Sequence, residues 1–426
     1  MRPYVITFCL LVTFAHYHSY AISKKAETYE EKDGETLSEG LEIMGKDIER
    51  FGEKFASRID RIIKRKTFEF WGDPWTVQGI PLIFPSSSSG FNLGLRVALT
   101  NIRRQDPHKL SLESQLMTSD KGRYKHFLKI DYPRAFDGRF RVTTRISYDR
   151  DITFRYFGIS NDTEVDKALI DRDDVFYQNV RAGPTFTFQI LRNFSRNLRI
   201  GPIIGFKWTD ITAPPGSLLL AESPVGIAGG KTHYIGVAFV YDTTDFEPYP
   251  SRGNVHELYF YWYAPWLGSS YDFVRATYTF RKYFPLHRTL TLAHRTLLET
   301  LSGTIPFYEL GGVGGSSPTI GFGGDKFLRG YDSNRFIDRI KFVTGFELRW
   351  DPIVFNFAKQ DISIGFVPFV DIGRVFPAVF PLTFSNFHAS TGWGLRIIWN
   401  SRFIIRADYA LNADGTAFIL NLGNSF

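Results

Sequence analysis

The stretch richest in chemistry-bearing residue types is GGVGGSSPTIGFGGDKFLRGYDSNRF, from Gly311 to Phe336. Glycine runs cradle phosphates when a Lys-Ser or Lys-Thr follows at P-loop spacing, between a strand and a helix. Neither feature is present, which argues against nucleotide binding. Two readings remain: a flexible outer loop, or a loop folded inward with Arg329 as its anchor. An inward arginine needs carboxylates, because a buried charge without a partner is very costly. Elsewhere, His233, His256, His294 and His388 are scattered, with no Ser-His-Asp or Ser-His-Asn setting around them. The acid pair Asp242 and Asp245 mimics a metal or acid–base site, but nearby prolines and Gly253 explain it as a turn. The single cysteine, Cys9, lies in the N-terminal apolar run, so the rest of the chain offers no disulfide and no thiolate ligand. No catalytic residue, no metal site and no cofactor is expected.

The elements that must position Arg329 have a period of two. In Arg339–Trp350 the alternation puts Ile340, Phe342, Phe346, Leu348 and Trp350 outward and Glu347 inward. In Asp361–Asp371 it puts Ile362, Ile364, Phe366 and Val370 outward and Asp371 inward. Two inward carboxylates on adjacent strands can clamp one guanidinium through charge-assisted hydrogen bonds. The plain alternative is that they tune a water-filled lumen. The last segments alternate most clearly. Thr391, Trp393, Leu395, Ile397 and Trp399 oppose Gly392, Gly394 and Arg396. Phe403, Ile405, Ala407, Tyr409 and Leu411 oppose Ile404, Arg406, Asp408 and Asn412. Phe418, Leu420, Leu422 and Phe426 share a face opposite Asn421 and Ser425. A strand between lipid and a wet lumen needs this pattern.

Roughly sixteen such segments follow Phe68: 79–85, 91–102, 109–119, 124–131, 138–148, 175–189, 196–208, 231–241, 253–264, 270–282, 287–300, 339–350, 361–372, 389–399, 402–411 and 416–426. Short connections (Tyr283–Leu286, Asn400–Ser401) contrast with long ones (Arg150–Asp174, Thr209–Gly230, Leu301–Asp338). Short periplasmic turns and long outer loops are the asymmetry of an outer-membrane barrel. The expected fold is therefore all-β, a 16-stranded antiparallel transmembrane β-barrel over 68–426.

Composition agrees without deciding the matter. The 426 residues are 16% aromatic and 43% hydrophobic, with mean hydropathy −0.15. A helical membrane protein is far more apolar, whereas a barrel that alternates looks soluble on average. A soluble all-β protein has the same composition. The net charge of +7 forms no continuous basic stripe, so no nucleic-acid partner is expected.

The N-terminus adds a direction. Arg2, the apolar run Tyr4–Ala15 and Ser19-Tyr20-Ala21 read as a signal peptide over 1–21. In 22–67, Leu41, Met44, Ile48, Phe51, Phe55, Ile59 and Ile62 recur at steps of three and four. That stripe predicts a short periplasmic helix. Acidic Glu35, Glu39 and Glu42 near its start and basic Arg61, Lys64, Arg65 and Lys66 at its end suit the helix dipole. The helix either packs on the barrel or another helix, or serves as an arm that binds a partner or lies on the inner leaflet.

Several segments, taken together, resemble one family. FLRGY (Phe327–Tyr331) resembles the arginine-glycine-aromatic loop signature of the BamA/TamA family, also called the bacterial surface antigen family. DTTDFEPYPSRG (Asp242–Gly253) resembles its Asp-rich turn. GFELR (Gly345–Arg349) and PFVDIGRV (Pro368–Val375) resemble its glutamate and Asp-x-Gly strands. GWGLR (Gly392–Arg396) and FILNLGNSF (Phe418–Phe426) resemble its last strands and C-terminal assembly signal. The six occur in the family's order over roughly 75–426. The resemblance implies a 16-stranded barrel with this loop between strands eleven and twelve. It implies a loop anchor of Arg329, Gly330 and Tyr331, with Arg329 paired to Glu347 and Asp371. It implies an assembly signal carried by Phe418, Leu420, Leu422 and Phe426. It further implies a location in the outer membrane of a Gram-negative-type bacterium, among lipid and lipopolysaccharide. Its members insert proteins into that membrane or pass them across it, through a weak seam between first and last strands. Well-known members carry POTRA domains, and 22–67 has room for none, so client or accessory periplasmic proteins would meet the N-terminal helix instead. The barrel is expected to be monomeric. A passive pore or surface antigen with a plugging loop is the alternative function.

Overall fold

The computed structural model describes residues 66–426, except 71, 87–89, 106–107, 173–174, 248, 317–318, 358–359, 379–384 and 400–402. The expected signal peptide and residues 22–65 of the expected helical segment lie outside the described residues, while its last two residues, Lys66 and Thr67, are strand rather than helix. The described residues form one unit, Lys66–Phe426.

Its strands are β1 (Lys66–Phe70), β2 (Asp73–Ser86), β3 (Gly90–Gln105), β4 (His108–Ser119), β5 (Tyr124–Arg134), β6 (Phe140–Arg155), β7 (Gln178–Asn193), β8 (Leu198–Thr212), β9 (Gly230–Lys231), β10 (Tyr234–Asp242), β11 (Gly253–Tyr263), β12 (Phe273–His287), β13 (Leu290–Gly303), β14 (Gly312–Val313), β15 (Thr319–Ile320), β16 (Ile340–Phe357), β17 (Gln360–Phe376), β18 (His388–Trp399), β19 (Phe403–Asn412) and β20 (Gly415–Leu422). Every predicted segment overlaps one of these strands. The short strands β1, β9, β14 and β15 are additional to the prediction. Pairing is antiparallel and sequential throughout: β1 to β8, β8 to β10, β10 to β13, β13 to β16, then on to β20. Strands β14 and β15 form a separate hairpin inside the β13–β16 loop.

The two faces of the sheet are the reverse of those of a soluble protein. In β18, Trp393, Leu395 and Ile397 are exposed while Gly394, Arg396 and Ile398 are buried. In β19, Tyr409 and Leu411 are exposed while Ile404, Arg406, Asp408 and Ala410 are buried. Arginine and aspartate are rarely buried and large apolar side chains are rarely exposed in contiguous rows. Lipid outside and a polar interior explain both. The predicted inward and outward parities of Arg339–Trp350 and Asp361–Asp371 agree with the burial pattern, with Glu347 and Asp371 both fully enclosed. Ile340, expected outward at the start of its strand, is buried.

The sheet curls around the β13–β16 loop. Arg155 of β6 binds Asp332 of that loop at 2.9 Å, and Asn161 beyond β6 bonds Asn386 ahead of β18 at 3.0 Å. Segments distant in the pairing order thus meet each other and the loop. The loop carries its own core: Val313, Phe322, Phe327, Leu328, Tyr331 and Phe336 pack on Leu297, Val343 and Val375 of the wall.

The last strand needs a correction. Alternation predicts one strand over 416–426, with Phe426 beside Phe418 and Leu420. Strand β20 instead ends at Leu422. Gly423 then takes φ +87°, a left-handed conformation that glycine adopts without strain. The chain turns inward there. Phe418 and Leu420 stay exposed at 70% and 55%, Leu422 is half-buried, and Phe426 is buried at 9%.

Candidate functional site

The loop tip is shaped by its backbone. Leu328 has φ +48° and Gly330 has φ +91°. A Cβ on Gly330 would lie 2.7 Å from Ala410 Cβ, so only glycine fits against β19. Between these residues Arg329 projects into the wall and is fully buried. Its Nε donates to Asp371 Oδ2 at 2.7 Å and its Nη2 to Asp371 Oδ1 at 2.9 Å. Its Nη1 donates to Glu347 Oε1 at 2.7 Å, and its backbone N–H reaches Asp371 Oδ2 at 3.2 Å. The Phe369 ring lies 3.5 Å from the guanidinium carbon, a stacked cation–π contact. Burial opposes the charge, but Asp371 and then Glu347 more than offset it, so the guanidinium's pKa is raised. Tyr331 is buried, and its hydroxyl donates to Ala389 O and accepts from Ala413 N–H, both at 3.3 Å. The structure therefore brings together all five predicted anchor residues: Arg329, Gly330, Tyr331, Glu347 and Asp371.

Sequence reasoning missed the rest of the cluster. Asp408 of β19 lies 3.7 Å from Arg329. Glu347 also binds Arg349 at 2.9 Å and lies 3.6 Å from Arg396. Asp408 binds Arg396 and lies 3.5 Å from Arg406, and Arg406 reaches Asp325 of the loop at 3.1 Å. The signal was present as parity: Glu347, Arg349, Arg396, Arg406 and Asp408 all occupy inward positions. Four buried guanidiniums around three buried carboxylates form one network, in which Glu347, Asp408, Arg329, Arg396 and Arg406 each face more than one opposite charge.

A second anchor holds the loop's beginning. The short helix Phe307–Gly311 is buried throughout. Its Glu309 binds Lys207 of β8 at 2.5 Å and Arg275 of β12 at 2.9 Å. Burial raises the Glu309 carboxyl, but Lys207 and Arg275 outweigh it and hold the group down to about 2. Glu299 of β13 accepts from Lys341 Nζ and from Gly314 N–H, both at 2.7 Å. A third contact sits near the loop's end, where Arg335 binds Asp414 at 2.7 Å and Thr163 Oγ1 at 2.6 Å.

The other predicted features are separate from this network. Asp245 accepts the backbone N–H groups of Phe246 and Ser251 at 3.0 Å, and Asp242 caps Thr244 N–H at 3.0 Å. Both acids shape the turn into β11, in keeping with the turn expected there. His256 bonds Tyr278, His294 bonds Thr344, and His388 bonds Asn161 O, each about 3 Å away. His233 accepts from Lys207 N–H at 3.2 Å. The four histidines are not neighbours in a common site.

A family model described as the Omp85 superfamily domain matches residues 128–426. The chain belongs to the Omp85 superfamily. It is a protein of the outer membrane of a Gram-negative-type bacterium. Similar solved structures include CdiB from Escherichia coli, at 10% identity over 84% of this chain and 62% of that one, with a TM-score of 0.51. BamA from Haemophilus ducreyi lacking POTRA domains 1–3 matches at 14% identity over 86% of this chain and 77% of that one, with a TM-score of 0.49. CdiB from Acinetobacter baumannii matches at 12% identity over 82% of this chain and 60% of that one, with a TM-score of 0.47. The chain thus spans less than two thirds of either CdiB chain. The likeness to the Escherichia coli CdiB shows the fold alone. No curated protein matches the chain.

Proposed function

We propose that this Omp85 superfamily chain closes into a 16-stranded barrel that takes part in assembling outer-membrane proteins or moving proteins across the membrane. Sixteen strands of eight or more residues among the described residues, joined in sequential antiparallel order, support the strand number. The contacts from β6 and β17–β19 to one enclosed loop support closure. The observation that carries the functional reading is the Arg329 clamp. A loop fixed on the wall by buried ion pairs at Glu347 and Asp371 supports an interior that opens only when the loop moves, rather than a permanently open pore. The first and last strands are then the seam through which a client strand enters the bilayer, as the resemblance to the BamA/TamA family implies. The assembly-signal role of Phe418, Leu420, Leu422 and Phe426 belongs to this reading. So do a monomeric state and contact with lipid and lipopolysaccharide.

Recording in a planar lipid bilayer tests the proposal. Near silence with rare large openings is the expected result, together with steady conduction once Arg329 is replaced by Ala. A steady, ion-selective pore in the unaltered protein would overturn the assembly reading in favour of a passive pore or surface antigen. Depletion in the native host should also lower the amount of other barrels in the outer membrane.

A further inference from the structure

A cavity of about 350 Å³ lies on the short-turn side of the loop. Its walls come from β5 to β8, from β10 to β13 and from the turn between β10 and β11. The loop residues Gly314–Ser316, Lys326 and Phe327 and the tail Asn424–Phe426 close one side. The acids that line it already hold arginines. Asp131 and Glu247 bind Arg141 at 2.8 and 2.6 Å. Asp242 binds Arg199 at 3.4 Å and Glu257 binds Arg281 at 2.9 Å.

Arg295 is different. It is only 2% exposed, and among the described residues no carboxylate lies within the 4.0 Å of an ion pair. Its Nη1 donates to Ser425 O at 3.0 Å and its Nη2 to Lys326 O at 2.5 Å. Its Nε has no hydrogen-bond partner. The rings of Phe327 and Phe426 sit 4.2 and 4.5 Å from its guanidinium carbon. Carbonyls and aromatic faces soften a buried positive charge but do not neutralise it. An unsatisfied donor on a buried cation that lines a cavity calls for an explanation.

We propose that this cavity binds an oxyanion, a carboxylate or a phosphate, with Arg295 as its main cation and Lys326 as a second. Tyr259, Tyr283, Leu297 and Phe327 supply apolar walls beside that charge. A pocket this small admits an inorganic oxyanion, or a carboxylate with one side chain attached. The site needs only the enclosed interior, so it stands independently of the assembly role.

The test uses the full chain, purified and folded in detergent, and titration calorimetry at constant ionic strength. One arm titrates inorganic phosphate. The other titrates a short peptide with a free C-terminal carboxylate, alongside the same peptide amidated. Saturable binding of phosphate points to a free or lipid-borne phosphate. Saturable binding of the free-acid peptide but not its amide points to a polypeptide end. Either result supports the oxyanion site. Arg295→Gln should weaken binding by roughly tenfold or more, the scale of a lost charge-assisted hydrogen bond. Arg295→Lys should restore part of it, and Arg288→Gln on the exposed turn should leave it unchanged. If Arg295→Gln does not fold, Lys326→Gln, a loop change, carries the same direction of effect. Absence of saturable binding in both arms would overturn the proposal. Equal binding by Arg295→Gln, or by Lys326→Gln where it stands in, would do so too, as would a peptide that binds equally as acid and amide while phosphate does not bind.

Discussion

Arg329→Ala should destabilise the folded chain, and Asp371 sets both the size of that loss and the sign of its response to a second substitution. Removing the guanidinium leaves three carboxylates without one of their partners. Glu347 keeps Arg349 at 2.9 Å and Arg396 at 3.6 Å, and Asp408 keeps Arg396 and Arg406. Asp371, fully buried, has Arg329 as its ion-pair partner among the described residues. Truncating one member of a buried pair costs about 3–5 kcal/mol, mostly as the penalty of the charge left behind. At about 1.4 kcal/mol per factor of ten, the folded-to-unfolded ratio falls by roughly two to three and a half orders of magnitude.

Asp371→Asn should therefore change sign with background. In the unaltered chain it removes the negative charge and one of the two oxygens that accept from Arg329 at 2.7 and 2.9 Å, and should destabilise. In the Arg329→Ala chain it removes an orphaned charge and should stabilise by about 1–3 kcal/mol. Urea unfolding of protein refolded in lipid vesicles, followed by heat-modifiable gel mobility, measures all four variants. An Arg329→Ala chain with unchanged mobility and surface level would refute the energetic role of the clamp. So would an Arg329→Ala chain made less stable by Asp371→Asn.

Gly330→Ala should cost about 2–4 kcal/mol by the same assay, because the φ is +91° and the new Cβ would meet Ala410 at 2.7 Å. Glu309 makes the loop's first anchor sensitive to acid. Its carboxyl is held from 4.5 down to about 2, so the stabilisation, about 3 kcal/mol, is complete above the ordinary value and fades as pH falls from about 4.5 to about 2. Hydrogen exchange of 307–315 should quicken across that window, and Glu309→Gln should remove the pH dependence. Leu395→Arg, on an exposed strand position, should cost about 2–4 kcal/mol in a bilayer if it faces the middle of the lipid. A soluble sheet would gain or lose little there, so an unchanged unfolding midpoint in vesicles counts against the lipid-facing assignment.

The strands were legible because two solvents write a period of two directly into the sequence. Trp393, Leu395 and Ile397 face one and Arg396 the other, and no long-range information is needed to see it. The inward parity of Glu347 and Asp371 on β16 and β17 was legible for the same reason, whereas their pairing with Arg329 was implied only by the family resemblance. What lay beyond reach depended on register and on irregular backbone. Arg396 sits directly opposite Arg406 across the β18–β19 ladder. Like charges in that position are destabilising, and Asp408, Asp325 and Glu347, brought in by β19, the loop and β16, make it tolerable. No spacing rule places Glu309 against Lys207, a residue 102 positions away. Phe426 leaves its expected face because alternation does not continue through Gly423, where a single left-handed residue turns the tail inward.

That turn ties the end of the chain to the clamp. Ser425 Oγ donates to Glu347, the residue that holds Arg329, and Arg349 donates to Phe426 O at 2.7 Å. Asp325, two residues before Phe327 in the loop, accepts from Arg406 of β19 and Asn421 of β20. Tyr331 bonds both the start of β18 and the β19–β20 turn. The loop is therefore attached to the last strands as well as to β16 and β17. Coupling of this kind is reciprocal. Any event that draws the tail out, or moves β20 at its edge, removes a donor from Glu347 and loosens Arg329. Under the proposed function, an opening at the β20 edge and a movement of the loop are therefore coupled, because Glu347 binds both the tail and Arg329.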